Sequence, residues 1–211
     1  MGGLTVGGRY GIGRLAPALL AGGAALAIAQ GAPGLTALAP VRRLFPALAG
    51  AGRPDHVALT FDDGPDPRFT PRLLAMLDAR RVHASFFLLG PLVQAAPGLA
   101  AEIAAATGAV PRLYRPPYGV LSAGALAAAR RLGLRPILWT CWGREWAPGA
   151  TPGSVQATLS QTLGGGGTVL LHDSSCTSPP GAASAALGAL PWLLDECGRR
   201  GLNVGPLAEH G

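Results

Sequence analysis

From Asp55 onward the chain alternates short apolar runs with stretches that carry helix start and stop signals. Runs such as Val57 to Phe61 and Thr168 to His172 are continuously apolar over most of their length, as expected for strands buried on both faces. Thr70-Pro71 and Ser122 have the residue types that open helices. The alternation predicts an α/β domain with a parallel sheet, either a barrel or a doubly wound layer.

The same signals predict the individual elements. Strands are expected at 57–61, 84–89, 112–115, 135–141, 168–172 and 202–204, and helices at 70–77, 97–106, 122–132, 152–163 and 182–200. In both parallel architectures the functional residues gather where strands end, at the carboxyl edge of the sheet.

The stretch "LTFDDGPD", Leu59 to Asp66, places two adjacent acids, Asp62 and Asp63, at the end of the first strand. Neighbouring carboxylates repel each other and lose hydration at a strand end, so the arrangement does not serve stability. Arg115 in "RPPYG", the aromatic stretch "WTCWGREW" and His172 in "LLHD" follow three later strands. Acids, an arginine, a histidine and aromatic rings at one sheet edge predict a hydrolytic pocket.

Net charge carries little functional information in this chain. The formal charge is +6 and the 17 basic residues are all arginine, scattered or paired at predicted helix ends such as Arg80-Arg81 and Arg130-Arg131. Those pairs complement the helix dipole and form no stripe interleaved with aromatic residues. The sequence therefore predicts no nucleic-acid partner.

The N-terminus has the pattern of an export signal. Arg9 and Arg14 precede an apolar stretch of small residues, Leu15 to Ala29, which ends in a small-x-small site before Gln30. A membrane span needs about 20 apolar residues, so an uncleaved anchor is the second interpretation. We expect residues 1–29 to be a signal peptide or anchor, residues 30–54 a linker, and residues 55–211 the functional domain, outside the cytoplasm.

Three cysteines, Cys141, Cys176 and Cys197, have no CxxC spacing. A zinc knuckle is excluded by that spacing, whereas one disulfide with a free thiol and three buried thiols both stay open.

The order of "TFDDGP", "RPPYG", "LW…REW" and "LLHD" resembles the polysaccharide deacetylases with a NodB homology domain, carbohydrate esterase family four. The resemblance covers Asp55 to the C-terminus and implies a distorted or incomplete (β/α) barrel. It implies a hydrolase that removes acetyl groups from acetylated polysaccharides or peptidoglycan-like glycans of the cell envelope. A divalent metal, zinc or cobalt, is the cofactor that the resemblance implies.

The resemblance also implies catalytic roles. Asp62 would be the general base, Asp63 a metal ligand, and His172 the general acid for the leaving amine. Arg115 would orient the base carboxylate.

Substrate-binding roles follow from the same motifs. The loop at Tyr118 would offer a backbone N–H to the oxyanion, Leu170 would line the pocket for the acetyl methyl group, and Trp146 would form its wall. Glu145 stands where the family usually has Asp, and its extra methylene is expected to loosen its pairing within the site.

One part of the family pattern is missing from the sequence. The metal site of the family needs a His-x-x-x-His motif between the "FFLLG" and "RPPYG" strands, and this chain has histidine only at positions 56, 83, 172 and 210. The chain reads as if roughly one strand–helix unit had been removed at Ala106-Thr107. A single carboxylate holds zinc weakly, because catalytic zinc sites use three protein ligands. We therefore expect the metal to be weakly bound or absent, and hydrolysis to be impaired.

Three hypotheses remain at this point. The first is a working deacetylase that recruits substitute ligands such as Asp66 or Asp173. The second is a non-catalytic envelope protein that binds glycan through its aromatic rim. The third is an unrelated hydrolase, such as a phosphatase with Asp62 as nucleophile, which lacks the phosphate-cradling loop expected for that chemistry.

The leader generates a first prediction. If Leu15 to Ala29 is a cleaved export signal, the mature chain begins at or near Gln30 and is found outside the cytoplasm. Intact-mass measurement of envelope and cytosolic fractions checks this, and a full-length mass in the cytosol would contradict it.

Overall fold

A computed structural model describes residues 27–108 and 111–211 of the chain. The predicted leader, Leu15 to Ala29, lies outside the described residues except for its last three positions. Within the two described ranges, no helix combines the length and the apolar character needed to cross a membrane.

Seven strands and eight α-helices lie wholly within the described residues. The strands are β1 (His56–Gly64), β2 (Ser85–Leu88), β3 (Leu113–Tyr114), β4 (Arg135–Pro136), β5 (Cys141–Trp142), β6 (Thr168–His172) and β7 (Asn203–Gly205). The helices are α1 (Ala39–Arg42), α2 (Pro46–Ala49), α3 (Thr70–Ala79), α4 (Gly90–Ala95), α5 (Pro97–Thr107), α6 (Ala123–Arg131), α7 (Pro152–Ser160) and α8 (Ala182–Arg199). Three short 3-10 turns occur at Ala32–Ala37, Pro117–Gly119 and Leu207–Glu209.

The strands form an open, entirely parallel arrangement. The main sheet has the order β2-β1-β6-β5, with β7 also paired to β1, and β3 pairs with β4 in a separate two-stranded sheet. The fold class predicted from the sequence is confirmed: this is an α/β fold of the distorted, incomplete (β/α) barrel type.

The first strand is central because both of its edges and both of its faces are covered. β6 pairs with one edge, and β7 and β2 pair successively with the other. Val57, Leu59 and Phe61 belong to the main apolar core with residues of α3, α7 and α8. Ala58 and Thr60 alternate onto the other face, where Ala58 packs in a smaller cluster with Ile137 and Leu207. Asp62 continues that face at the end of the strand.

The prediction of one strand at 135–141 is wrong, because this stretch forms two short strands in different sheets. β4 pairs with β3, whereas β5 pairs with β6. Between them the backbone N–H of Leu138 donates to the carbonyl of Leu48 at 2.7 Å. The N-terminal segment thus provides the acceptor that a neighbouring strand would otherwise provide. Among the described residues, β2 and β3 do not pair, which leaves the barrel open between them.

The segment predicted as a linker packs against the domain. The carbonyl of Gly50 accepts the Thr168 hydroxyl at 2.6 Å, and Leu48 packs against the cluster that contains Trp139. The Arg42 guanidinium lies 5.5 Å from the centre of the Trp139 ring. The domain boundaries at 29/30 and 54/55 stay predictions.

A buried histidine pair ties the C-terminus to the start of β1. His56 Nδ1 lies 2.9 Å from His210 Nδ1, and His210 Nε2 lies 3.1 Å from the Gly50 carbonyl. Since a carbonyl only accepts, His210 donates through Nε2, and in the neutral ring its Nδ1 accepts from the Nδ1–H of His56. Burial is the main cause that lowers the pKa of each ring, and each ring's pKa is lowered further by the Arg53 cation. The carboxylates of Glu209 and Asp55 oppose this at His56.

This pair generates a second prediction. The unfolded chain binds more protons than the folded chain near and below the ordinary histidine pKa of about 6.5, so stability is complete above that pH and falls below it. Urea unfolding at about pH 7.5 and about pH 5.5 should show a lower midpoint at acid pH. The double variant His56→Gln/His210→Gln should lose part of this pH dependence, and His83→Gln, at an exposed histidine, should retain it. If the urea midpoint changed equally with pH in the wild type and both variants, the histidine pair would not be the source of the pH dependence.

Candidate active site

Strand pairing places the first acid of the pair beside the predicted general acid. Asp62 and His172 are paired positions at the carboxyl ends of β1 and β6. β5 lies on the other side of β6, with Trp142 paired to Leu170. The predicted convergence of strand ends is therefore present for β1, β5 and β6.

Arg115 brings the β3 end into the same site. Its Nη1 donates to Asp62 Oδ1 at 2.6 Å and to Thr60 Oγ1 at 2.8 Å, and its Nη2 donates to the Leu138 carbonyl at 3.0 Å. The guanidinium lies 4.1 Å from the centre of the Phe87 ring. The Arg115 side chain is 2% exposed and that of Asp62 is 14% exposed.

The Asp62 carboxylate is held between two opposing effects. Burial raises its pKa above the usual range, and the charge of Asp63 adds to this, whereas the Arg115 and His172 cations lower it. Burial prevails, so Asp62 is a stronger base than an exposed aspartate when it is ionised.

His172 is oriented by Glu145. The His172 Nδ1 lies 2.8 Å from Glu145 Oε1, and the glutamate side chain is completely buried. Burial alone would lower the pKa of His172, but the hydrogen bond and charge of Glu145, with the charges of Asp62 and Asp63, raise it above the usual value. The longer side chain still reaches the imidazole. Gly143 leaves it room, because a Cβ there would lie 2.8 Å from Glu145 Oε2.

A row of aromatic rings borders this histidine. The Trp146 ring meets His172 edge-on at a centroid distance of 5.3 Å, Trp142 meets Trp146 edge-on at 5.3 Å, and Trp139 lies 5.9 Å from Trp142. Trp146 is half-buried and Trp142 is 37% exposed. We call Trp142 and Trp146 the aromatic wall. The sequence analysis singled out Trp146 but gave no role to Trp142, which comes from the same stretch.

Asp63 adopts a left-handed backbone conformation, with φ of 69°, and points to different partners from Asp62. Its Oδ2 accepts a short hydrogen bond from the Thr177 hydroxyl and lies 3.9 Å from His172 Nε2. The Cys176 thiol donates to the Asp63 carbonyl at 3.4 Å. Thr177 was missed by the sequence analysis, since no pattern links it to an acid more than a hundred positions earlier.

The remaining two substrate-binding candidates differ in burial. Leu170 is 3% exposed and packs with Leu138 and Trp139 below the rim. The Tyr118 side chain is 88% exposed, and its backbone, with φ of 56°, forms the turn after Arg115. Within the described residues its N–H makes no hydrogen bond, so it is available to an acceptor.

A family model described as polysaccharide deacetylase matches residues 49–106. The chain is 30% identical over 213 residues to a chitooligosaccharide deacetylase of Bradyrhizobium sp. (strain ANU 289), covering 80% of this chain and 95% of the relative. The chain belongs to the polysaccharide deacetylase family.

Solved structures of the same family have the same fold. A peptidoglycan N-acetylglucosamine deacetylase in complex with a hydroxamate-type ligand superposes with a TM-score of 0.66 at 23% identity, covering 76% of this chain and 90% of that one. A family-four pseudoenzyme from Bacillus anthracis superposes with a TM-score of 0.64 at 21% identity, covering 76% of this chain and 67% of that one.

The metal that the polysaccharide deacetylase family generally uses does not fit the residues around Asp63. Among the described residues, no group of three histidine, cysteine or acidic side chains is arranged to hold an ion. His56 and His210 pair at the opposite end of β1, roughly 20 Å from Asp63 along a strand. His83 precedes β2, whose first residue pairs with Thr60, so it also lies below the site. Weak metal binding stays a prediction.

The substitute ligands considered from the sequence have other partners. Asp66 accepts from Arg68 at 2.9 Å, and Asp173 accepts from the Thr70 hydroxyl at 2.5 Å. Burial raises the pKa of Asp173 to about 6, and its Oδ1 has no partner within the described residues. Asp66 thus holds the loop after β1, and Asp173 links the end of β6 to the start of α3. Thr70, expected to cap α3, follows the capping residue Phe69 and binds Asp173 instead.

The buried ion pair generates a third prediction. Arg115→Met keeps most of the side-chain volume but leaves Asp62 buried without its cation, so we expect a loss of about 3 kcal/mol in the free energy of unfolding. Urea unfolding measures this loss. Arg80→Met removes the cation of an exposed pair with Asp195 and should cost less than about 1 kcal/mol. Equal effects of the two changes would show that the Asp62 pair is not desolvated.

Proposed function

We propose that this chain binds acetylated glycans of the cell envelope at the rim formed by Asp62, His172 and the aromatic wall. As a deacetylase-type hydrolase it would act on their acetamido or ester groups, with impaired turnover. The names of the relatives, which refer to chitooligosaccharides and peptidoglycan, support this substrate class.

One observation carries the proposal. Two oriented ionisable pairs, Arg115 with Asp62 and Glu145 with His172, meet at paired positions of adjacent strands. A carboxylate and an imidazole that are both fixed in this way can accept and donate a proton on opposite sides of one reacting group. A packed domain does not need two desolvated charged pairs side by side for stability.

The residues of this chain then have distinct proposed tasks. Asp62, fixed by Arg115, would accept a proton from water, and His172, fixed by Glu145, would donate a proton to the leaving amine. The N–H of Tyr118 would bind the developing oxyanion, and Trp146 would position the sugar. Leu170 would form the floor below the acetyl group. Asp63 would be the single family metal ligand that remains.

The second candidate function is glycan binding without hydrolysis. It is favoured by the lack of a three-ligand group among the described residues. The alignment with the Bradyrhizobium relative also spans 213 positions while covering only 80% of a 211-residue chain, so it contains gaps on the side of this chain. Those gaps are consistent with the strand–helix unit predicted to be missing. A location outside the cytoplasm is part of both candidate functions.

A fourth prediction separates the two functions. Activation of water by a metal contributes several kcal/mol to catalysis, so its weakening should reduce acetate release about a thousandfold or more. We expect this chain to release acetate from a chitin oligosaccharide at least about a thousandfold more slowly than the Bradyrhizobium relative. Both proteins are measured with excess Zn²⁺ or Co²⁺. Titration calorimetry should show weak zinc binding.

Grafting the corresponding segment of the relative between Ala106 and Thr107 should increase both zinc affinity and acetate release. Tight one-to-one zinc binding by the unmodified chain, with turnover abolished by Asp63→Asn, would show a complete enzyme and exclude the binding-only function. Failure to bind any chitin oligosaccharide would overturn the proposed function itself.

A further inference from the structure

We infer that the site binds a free ammonium group, and that the preferred ligand is a partly de-N-acetylated hexosamine glycan whose 2-ammonium pairs with Asp63. The inference rests on the proposed function, because it requires that glycans bind at this rim. It goes beyond that function in naming the charged group that occupies the place of the metal.

The charges of the site do not balance within the protein. Four carboxyl groups, those of Asp62, Asp63, Glu145 and Asp173, lie around two cationic side chains, Arg115 and His172. The Arg115 charge is committed to Asp62 at 2.6 Å, and that of His172 to Glu145 at 2.8 Å. At least one negative charge therefore remains even when His172 is protonated and Asp173 is neutral.

That charge resides on Asp63. The carboxylate receives a hydrogen bond from the neutral Thr177 hydroxyl, and its nearest cationic group within the described residues is His172 Nε2, 3.9 Å away. Two further arginines contact tryptophan rings rather than Asp63: Arg42 lies against Trp139, and Arg144 lies against Trp142 of the aromatic wall. A partly desolvated carboxylate without a matched cation favours a cationic ligand.

Hydrogen-bond acceptors are available for such a ligand. Asp62 uses Oδ1 for Arg115 and Asp63 uses Oδ2 for Thr177, so the second oxygen of each carboxylate has no donor within the described residues. Neither oxygen is among the fully buried side-chain atoms that lack a hydrogen-bond partner, so both oxygens are accessible to solvent. An ammonium group has three N–H donors and no acceptor, which matches the two free carboxylate oxygens. An acetamido group offers these two oxygens only one N–H and no positive charge.

The aromatic wall makes the ligand a sugar rather than a simple amine. Trp146 stands edge-on to His172 at 5.3 Å, and Trp142 extends the wall to a partly exposed ring. Apolar faces of pyranose rings pack on such indoles, while the polar tip of the sugar reaches the carboxylates. A hexosamine presents a ring face and an ammonium group together.

Nonspecific attraction would not produce this preference. The chain carries a formal net charge of +6, so a polycationic glycan is repelled by the molecule as a whole. Selective binding of the cationic form must come from a local negative site.

The test compares three oligosaccharides of equal length by titration calorimetry at about pH 6, where the amine is protonated. They are a chitosan oligomer with free amines, a chitin oligomer with acetamido groups, and a cellulose oligomer with neither. The wild-type chain should bind the chitosan oligomer about tenfold or more tightly than the other two, since a charge-assisted hydrogen bond contributes that much.

Asp63→Asn should remove this advantage, so that the affinity for the chitosan oligomer falls to that for the chitin oligomer. Asparagine is tolerated at positive φ and can still accept from Thr177, so the variant should fold. Asp195→Asn removes the same charge from an exposed position on α8 and should retain the wild-type preference. This control separates the local carboxylate from overall charge.

The outcomes distinguish failure of the ammonium site from failure of the glycan-binding function. Equal binding of the chitosan and chitin oligomers, or an unchanged chitosan affinity in Asp63→Asn, overturns the ammonium site while the glycan-binding function stands. No binding of any of the three overturns the proposed function and the inference with it. Loss of the preference in Asp63→Asn alone supports both.

Discussion

The guanidinium of Arg115 connects the parts of the fold that no strand pairing connects. It follows β3, which lies in the small sheet, yet it donates to Asp62 and Thr60 of β1 and to the carbonyl of Leu138 before β5. Because the barrel is open between β2 and β3, these buried hydrogen bonds, with the stacking on Phe87, fix the small sheet against the large one. One side chain thus fixes the Asp62 carboxylate and links the two sheets.

The acid pair at the end of β1 divides its tasks because the strand alternates. Asp62 turns inward to Arg115, whereas Asp63 adopts a left-handed conformation and turns to the loop that contains Thr177. The protein therefore supplies a cationic partner to Asp62 and a neutral hydroxyl to Asp63. That inequality is the physical basis of the ammonium site.

The sequence was a good guide where local pattern and tertiary environment agree. The apolar runs at Val57 to Phe61 and Thr168 to His172 became the two central strands, and Ser122 caps α6 as its residue type suggests. The prediction for residues 135–141 was wrong, because their apolar character fits one long strand. The chain instead changes sheets there, and Leu48 provides the hydrogen bond at the break. Nothing in the local sequence encodes that distant partner.

By itself the sequence determined the parallel α/β class, the acid pair, and the histidine, arginine and tryptophan positions at strand ends, because periodicity and motif order are local properties. It also determined the number of histidines, and so how few metal ligands are available. Only the tertiary structure decided which charges are matched, since pairing depends on contacts between residues far apart in the chain. It placed Thr177 on Asp63, Glu145 on His172 and three of the four histidines away from the acids, because burial and register fix those distances.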